Sequence, residues 1–285
     1  MAVFERTYRR WQGQPTARAG RFLVLFRYSI GEVFRSKWLT AYFALCFVYP
    51  LGSLLLIYLR RNAPFLTVFP GFEQAIAVDP GFFGVFVTVQ QVFGFLLAVT
   101  VGPGLISRDL VNNGLPLYLS RPFTRGEYLL GKFSVLALLL SAVTWVPGLL
   151  LMLVHSSLVG WSWLGENASL VAGLFVGSWF WIVGISLMAM AVSAWVRWRF
   201  LAGFGMIFFA LAGGLFHAMV SGITQSTWGY VFDLPGLLHV VWLRLLGDTV
   251  ATGLPTVAAL IALAGFFAFF FGLLHLKLRA YEVIR

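Results

Sequence analysis

The chain has 285 residues, 60% hydrophobic and only 11% charged, with a mean hydropathy of +0.89. A soluble domain carries about twice that charged fraction and could not hide so much apolar surface, so part of the solvent must be lipid. The net charge of +10 comes without a basic, aromatic-laced soluble module, which argues against nucleic acid and for Lys and Arg gathered beside anionic lipid.

In chain order, the first segment is Arg-rich, is broken by Gly13 and Pro15, and has no apolar core of the kind a cleavable signal peptide needs. Val3, Phe4, Thr7, Tyr8 and Trp11 share one helical face, opposite Arg6, Arg9 and Arg10. A second stretch places Phe22, Leu25, Phe26, Ile30, Val33 and Phe34 on one side and Arg21, Tyr28, Glu32 and Arg35 on the other. Basic amphipathic helices of this type lie in a membrane interface or pack on a partner; the span that follows directly favours the interface.

Six stretches then have the ~20 apolar residues needed to cross about 30 Å of hydrocarbon. They are Leu39–Leu59, Phe82–Ile106, Leu129–Val154, Ala168–Val192, Phe200–Val220 and Pro255–Leu276. Lys132 lies near one end of its span and can snorkel to the interface. With the N-terminus inside, 17 of the 20 Lys and Arg fall on the cytoplasmic side and only Arg60, Arg61 and Arg244 outside. That bias predicts both termini in the cytoplasm. Trp38, Trp161, Trp163, Trp195 and Trp198 all stand at span ends, as interfacial aromatics do. The single cysteine, Cys46, lies in an apolar run and reads as helix packing.

Within the fourth span Gly173, Gly177 and Gly184 form a small-residue stripe. It reads either as a surface that slides during transport or as ordinary helix association. In the outer segment 221–254, Leu234–Leu246 is too short to span and too apolar for an exposed loop. It predicts a re-entrant or interfacial helix, started by Pro235 and ended by Gly247.

Enzyme chemistry finds little support. No acid lies in a predicted span core, and His155, His217, His239 and His275 are scattered, with no His-Glu-x-x-His or Gly-x-Ser-x-Gly pattern. His217 reads as a satisfied helix-end residue rather than a ligand. Gly126 to Lys132 matches seven positions of a phosphate-binding loop, but Phe133 replaces the hydroxyl residue, Tyr128, Leu129 and Leu130 are bulky, and no strand precedes. No metal, no cofactor and no ATP site of its own is therefore expected.

The most informative segment joins spans two and three. It opens with Arg108 and Asp109, turns at Asn112, Asn113 and Gly114, and continues through a short apolar helix, Leu115–Leu119. Ser120, Arg121 and Pro122 follow, then a capped helix start at Thr124–Glu127. Leu115, Leu117 and Leu119 would be wasted in water, so they call for a cytoplasmic partner or the lipid headgroups. Asp109, Gly114, Leu115, Leu119, Ser120, Pro122, Arg125, Glu127, Gly131 and Lys132 together resemble the loop between spans two and three of ABC-2 permeases, the membrane subunits of ATP-binding-cassette transporters. Asp109 stands where that family more often has Glu, and Pro116 follows Leu115 where the family continues a helix; a proline there can begin the coupling helix rather than break it, shifting the contact by a turn.

The resemblance implies an all-α integral membrane protein of the type V exporter-like (ABC-2) fold. A segment 1–38 would hold an interfacial elbow helix ending at Arg35-Ser36-Lys37-Trp38. A six-helix permease domain, 39–285, would carry a coupling loop at 107–128 and the outer re-entrant segment 221–254. It further implies a dimeric ATPase subunit that binds the ATP, a second permease copy or a related permease, surrounding lipid, a periplasmic partner in some systems, and a place in the cytoplasmic membrane. The ATPase contact would be Leu115–Arg121, framed by Arg108, Asp109, Arg125 and Glu127. Export is the implied direction, along a path lined by spans two and five, and the Gly and Phe content of span five suits a hydrophobic or lipid-like cargo. The rival readings are a non-transporting scaffold or assembly subunit, an ATP-independent channel or transporter and, last, an intramembrane enzyme.

Overall fold

The computed structural model describes residues 20–62, 78–112, 114, 124–247 and 253–279. Among them the chain is helical, with no strand. Six helices are long and apolar enough to cross a membrane: Lys37–Arg60, Pro80–Val111, Arg125–Val159, Ala168–Trp195, Arg199–Thr224 and Thr256–Leu278. These are spans one to six, and this is the architecture of a multi-pass membrane protein. The predicted spans coincide with them, because long apolar runs leave helices as the only way to satisfy backbone groups in lipid.

The spans run alternately up and down. The ends of spans two, four and six and the starts of one, three and five share one end of the bundle with a separate helix, Arg21–Phe34. That arrangement is seen in the Arg199 guanidinium bonding Thr100 O at 3.0 Å and in the Lys277 ammonium lying 5.1 Å from the Trp195 ring. This is called the basic end below, and the opposite one the far end.

Spans one to three each bend, and prolines set the places. Pro50 has no N–H to offer the Cys46 carbonyl four residues earlier, and Gln90 Nε2 of span two donates to that carbonyl at 3.2 Å instead. Span two breaks at Gly102-Pro103. There the Ser193 hydroxyl of span four enters the helix: it accepts from the Ile106 and Ser107 amides at 3.1 and 3.0 Å and donates to Pro103 O at 2.7 Å. Arg199 covers the Thr100 carbonyl that the same break loosens. Gly102 is required at this crossing, since a Cβ there would lie 2.7 Å from the Ala189 Cβ of span four. Span three turns at Thr144, whose hydroxyl donates to Leu140 O at 2.7 Å just before Pro147.

Span four is the centre of the bundle, with a buried run from Met188 to Ala191. Span five is peripheral, and Phe200, Phe204, Phe208 and Leu215 point outward along its length. Trp38, Trp161, Trp195 and Trp198 are exposed at span ends, as an interfacial belt requires.

The helix Arg21–Phe34 has a packing surface within its own chain. It packs against span three of its own chain. Gly131 makes this possible: a Cβ there would meet Phe22 O at 3.0 Å and Leu25 Cβ at 3.1 Å. The predicted apolar face is largely the packed one, with Leu25 buried and Phe26, Ile30 and Val33 half-buried against the core, and Ser29 is buried beside them. The helix stops at Phe34. Ser36 then caps span one, accepting from the Leu39 amide at 3.5 Å.

Candidate functional site

At the basic end, the stems of the loop between spans two and three are locked together. Asp109, close to the end of span two, pairs with Lys132 of span three at 2.9 Å. Their side chains are 17% and 6% exposed, so this is a buried ion pair. Tyr128, one helical turn before Lys132, donates its hydroxyl to the same carboxylate oxygen at 2.9 Å. Lys132 also reaches Ser29 Oγ of the first helix at 3.4 Å, and lies 5.7 Å from the Tyr128 ring. Lys132 thus has a carboxylate partner inside the fold. A neighbouring carboxylate removes the reason to leave the core, since a buried charge with good hydrogen bonds is retained where a lone one is expelled.

A second layer lies outward of this pair. Glu32 pairs with Arg35 at 2.7 Å and with Arg108 at 3.5 Å. Span three starts with a capping box: Thr124 N–H donates to Glu127 Oε2 at 2.7 Å, and Glu127 N–H donates to Thr124 Oγ1 at 3.2 Å. Both orphan amides of the first turn are satisfied this way, as the sequence pattern implies. Arg125 is the first helical residue after the cap.

Of the residues singled out as an ATPase contact, Arg108, Asp109, Gly114, Arg125 and Glu127 are described and stand on the two stems. Leu115, Leu117, Leu119, Ser120, Arg121 and Pro122, with Pro116, lie outside the described residues, as does the N-terminal face from Val3 to Trp11. Sequence reasoning missed Ser29 and Tyr128 as parts of the stem lock. The signal available was the burial of a serine on the apolar face of an otherwise amphipathic helix.

The far end holds the second constellation. Residues Thr227–Phe232 form a single 3₁₀ stretch that folds back along span five, and the helix Leu234–Leu245 then climbs along span four. Pro235 starts this helix and Gly247, at φ 79°, ends it, as predicted. The glycine stripe is its seat. A Cβ on Gly173 would collide with the Leu245 carbonyl, one on Gly177 with the Trp242 ring, and one on Gly184 would lie 2.9 Å from Leu238 Cδ1. The arrangement is one of fitted surfaces, and the fully buried Trp242 indole is its largest piece. His239 Nδ1 adds a contact to Gln91 Oε1 of span two at 2.7 Å.

This hairpin sets a carboxylate against the middle of helix Arg199–Thr224. Asp233, 9% exposed, lies where a Cβ on Gly213 of span five would meet its Cα at 3.2 Å. Gly213 is about 16 Å from the far end of its helix, by rise per residue. Asp233 precedes the first turn of Leu234–Leu245 and faces the Gly236 amide. His217 and Tyr230 stand on its other side, their rings 3.9 Å apart, and Ser221 Oγ is 3.3 Å from His217 Nδ1. Burial pushes the Asp233 carboxyl above the ordinary carboxylate range, while the Gly236 amide and His217 pull it back. The expectation that no acid lies in a span core concerns the span sequences; Asp233 is a residue between spans that packs against span five.

No protein-family model matches the chain, and no curated protein matches it.

Proposed function

We propose that the chain is the permease subunit of an ATP-binding-cassette transporter of the ABC-2 type. The observation that supports this is the stem lock. Asp109, Tyr128, Lys132 and Ser29 join span two, span three and the first helix at the base of the 107–128 loop. A loop on such a base transmits a push to three helices at once. A coupling segment needs that property, and a solvent loop does not. The loop residues resemble the ABC-2 pattern, with Asp109 and Pro116 as departures, and in this reading the helix Arg21–Phe34 takes the place of an elbow.

In this reading the basic end faces the cytoplasm, and both termini lie there, in a cytoplasmic membrane. A separate ATPase dimer docks on Leu115–Arg121 and supplies the energy, so this chain binds no ATP. A second permease copy or a related one completes the transporter. The hairpin at the far end stands at the cargo exit, and the apolar outer face of span five suits a hydrophobic or lipid-like cargo. The test is Leu119→Asp, which should abolish co-purification with a co-expressed candidate cassette ATPase while leaving membrane insertion intact. Binding that persists overturns the contact. If the complex forms but its ATP hydrolysis ignores every candidate cargo in proteoliposomes, the chain is a scaffold and not a transporter.

Asp233 supports a second reading, transport driven by protons without an ATPase. Intramembrane acids commonly mark proton or ion paths. Cargo flux in liposomes that hold this chain alone, driven by a pH gradient and lost in Asp233→Asn, would favour it over the first.

A further inference from the structure

We propose that the basic end binds a phosphate-bearing anion, presented by a lipid headgroup, through the guanidiniums of Arg108 and Arg199. A cavity of about 410 Å³ opens there between the first helix, span two and span five. It is of the size that holds a small ligand or headgroup. Tyr28, Ser29, Asn112 and Arg108 line it, with Arg199 entering from the start of span five. The two arginines converge across Gly104, whose ideal Cβ position lies 3.6 Å from Arg108 Nε and 3.7 Å from Arg199 Nε.

Like charges do not gather at a concave surface without compensation, and the one carboxylate paired with either arginine is Glu32, which Arg108 shares with Arg35. Asp109 is held by Lys132 at 2.9 Å and by Tyr128. Glu32 is nearer Arg35, at 2.7 Å, than Arg108, at 3.5 Å. Arg199 has no carboxylate in ion-pair range among the described residues, and it donates to the Thr100 carbonyl. Across the cavity lining, Arg108, Lys132 and Arg199 face only Glu32 and Asp109, which leaves one positive charge over. Two planar guanidiniums in one pocket match the forked oxygens of a phosphate ester. Their position fits a lipid source: Arg108 is three residues from the end of span two and Arg199 is the first residue of span five. Basic pockets between helices at this depth are where anionic headgroups bind. The proposal uses no part of the transport reading.

The experiment is native mass spectrometry of the purified chain, released from micelles containing either dioleoylphosphatidylglycerol or dioleoylphosphatidylcholine, with and without millimolar inorganic phosphate. The wild type should retain phosphatidylglycerol over phosphatidylcholine, and Arg108→Gln with Arg199→Gln should lower that retention at least roughly tenfold, as expected for lost charge-assisted bonds. Gly104→Leu fills the space without altering charge and should do the same, which guards against a charge variant that fails to fold. Arg60→Gln, at the far end, should retain the lipid. Displacement of the lipid by inorganic phosphate would keep the anion site and make its ligand a soluble phosphate. Equal retention of the two lipids by the wild type, or wild-type retention in both the double variant and Gly104→Leu, overturns the proposal.

Discussion

At the basic end the helix Arg21–Phe34 is held on span three around Lys132, Asp109, Tyr128 and Ser29; at the far end the helix Leu234–Leu245 is held on span four by three glycines and a tryptophan. The first attachment is a buried charge pair with directional bonds. The second is a fit of shapes on span four, with the His239–Gln91 bond to span two beside it. A polar lock has two discrete arrangements, made or broken, and suits an element that must pass on a motion. A steric seat is non-directional and tolerates small sliding, but it cannot accept added volume. Charge changes should therefore damage the basic end and spare the far end, and size changes should do the reverse.

The largest expected effect comes from splitting the pair. Lys132→Met leaves Asp109 buried without its cation and should cost about 3–5 kcal/mol, read as a fall in the thermal midpoint of the purified chain. Adding Asp109→Asn removes the stranded charge and should recover much of the loss. If the single variant melts like the wild type, the lock carries no weight. Next comes volume at the seat. Gly177→Leu should cost about 1–3 kcal/mol or more, because the new side chain occupies the space of the Trp242 ring. Trp242→Ala in the same chain should relieve part of it. That relief would be absent if the helix simply moved away. A cysteine pair that joins span four to the hairpin would report such a displacement.

The bend in span two tests whether the comparison is too sharp, since hydroxyls serve there, those of Ser193 and Ser107. Ser193→Ala leaves the Ile106 and Ser107 amides without their shared acceptor, while the Pro103 carbonyl keeps the Ser107 hydroxyl, and should cost about 1–3 kcal/mol. Ser193→Thr keeps the hydroxyl and should lose less. Equal losses for the two variants would mean that packing of span four on Gly102, not the hydroxyl, sets the bend.

Much of the frame was readable in the sequence, and the reasons are local. The six spans are apolar runs of sufficient length. Leu234–Leu245 is bracketed by Pro235 and Gly247. Thr124 and Glu127 stand three apart, as a capping box requires. What was hidden depends on residues far apart in the chain. Asp109 and Lys132 are separated by the loop, and Ser193 reaches Pro103 across 90 positions. The glycine stripe announced a close approach but not which helix would make it. The depth of Asp233 was hidden most completely. Composition places a residue after Phe232 in an outer loop, and only the fold-back of Thr227–Phe232 carries it inward.

Asp233 is also where the comparison is weakest, as a charge inside the region held by shape. Its pH dependence decides whether it belongs there. Burial raises its carboxyl above the ordinary range, so within the window between the unfolded and the folded value the folded chain binds more protons. Stability therefore falls as pH rises through that window, and at neutral pH the wild type bears the cost of a buried anion. Asp233→Asn removes that cost. It should raise the melting midpoint at neutral pH, by no more than about 1–3 kcal/mol equivalent, and leave it unchanged in acid, where the wild-type carboxyl is already neutral. The opposite slope, with the wild type losing stability relative to Asp233→Asn on acidification, would mean that the Gly236 amide and His217 outweigh burial. The far end would then contain a polar lock of its own, and the hairpin would be a second element able to switch between two arrangements.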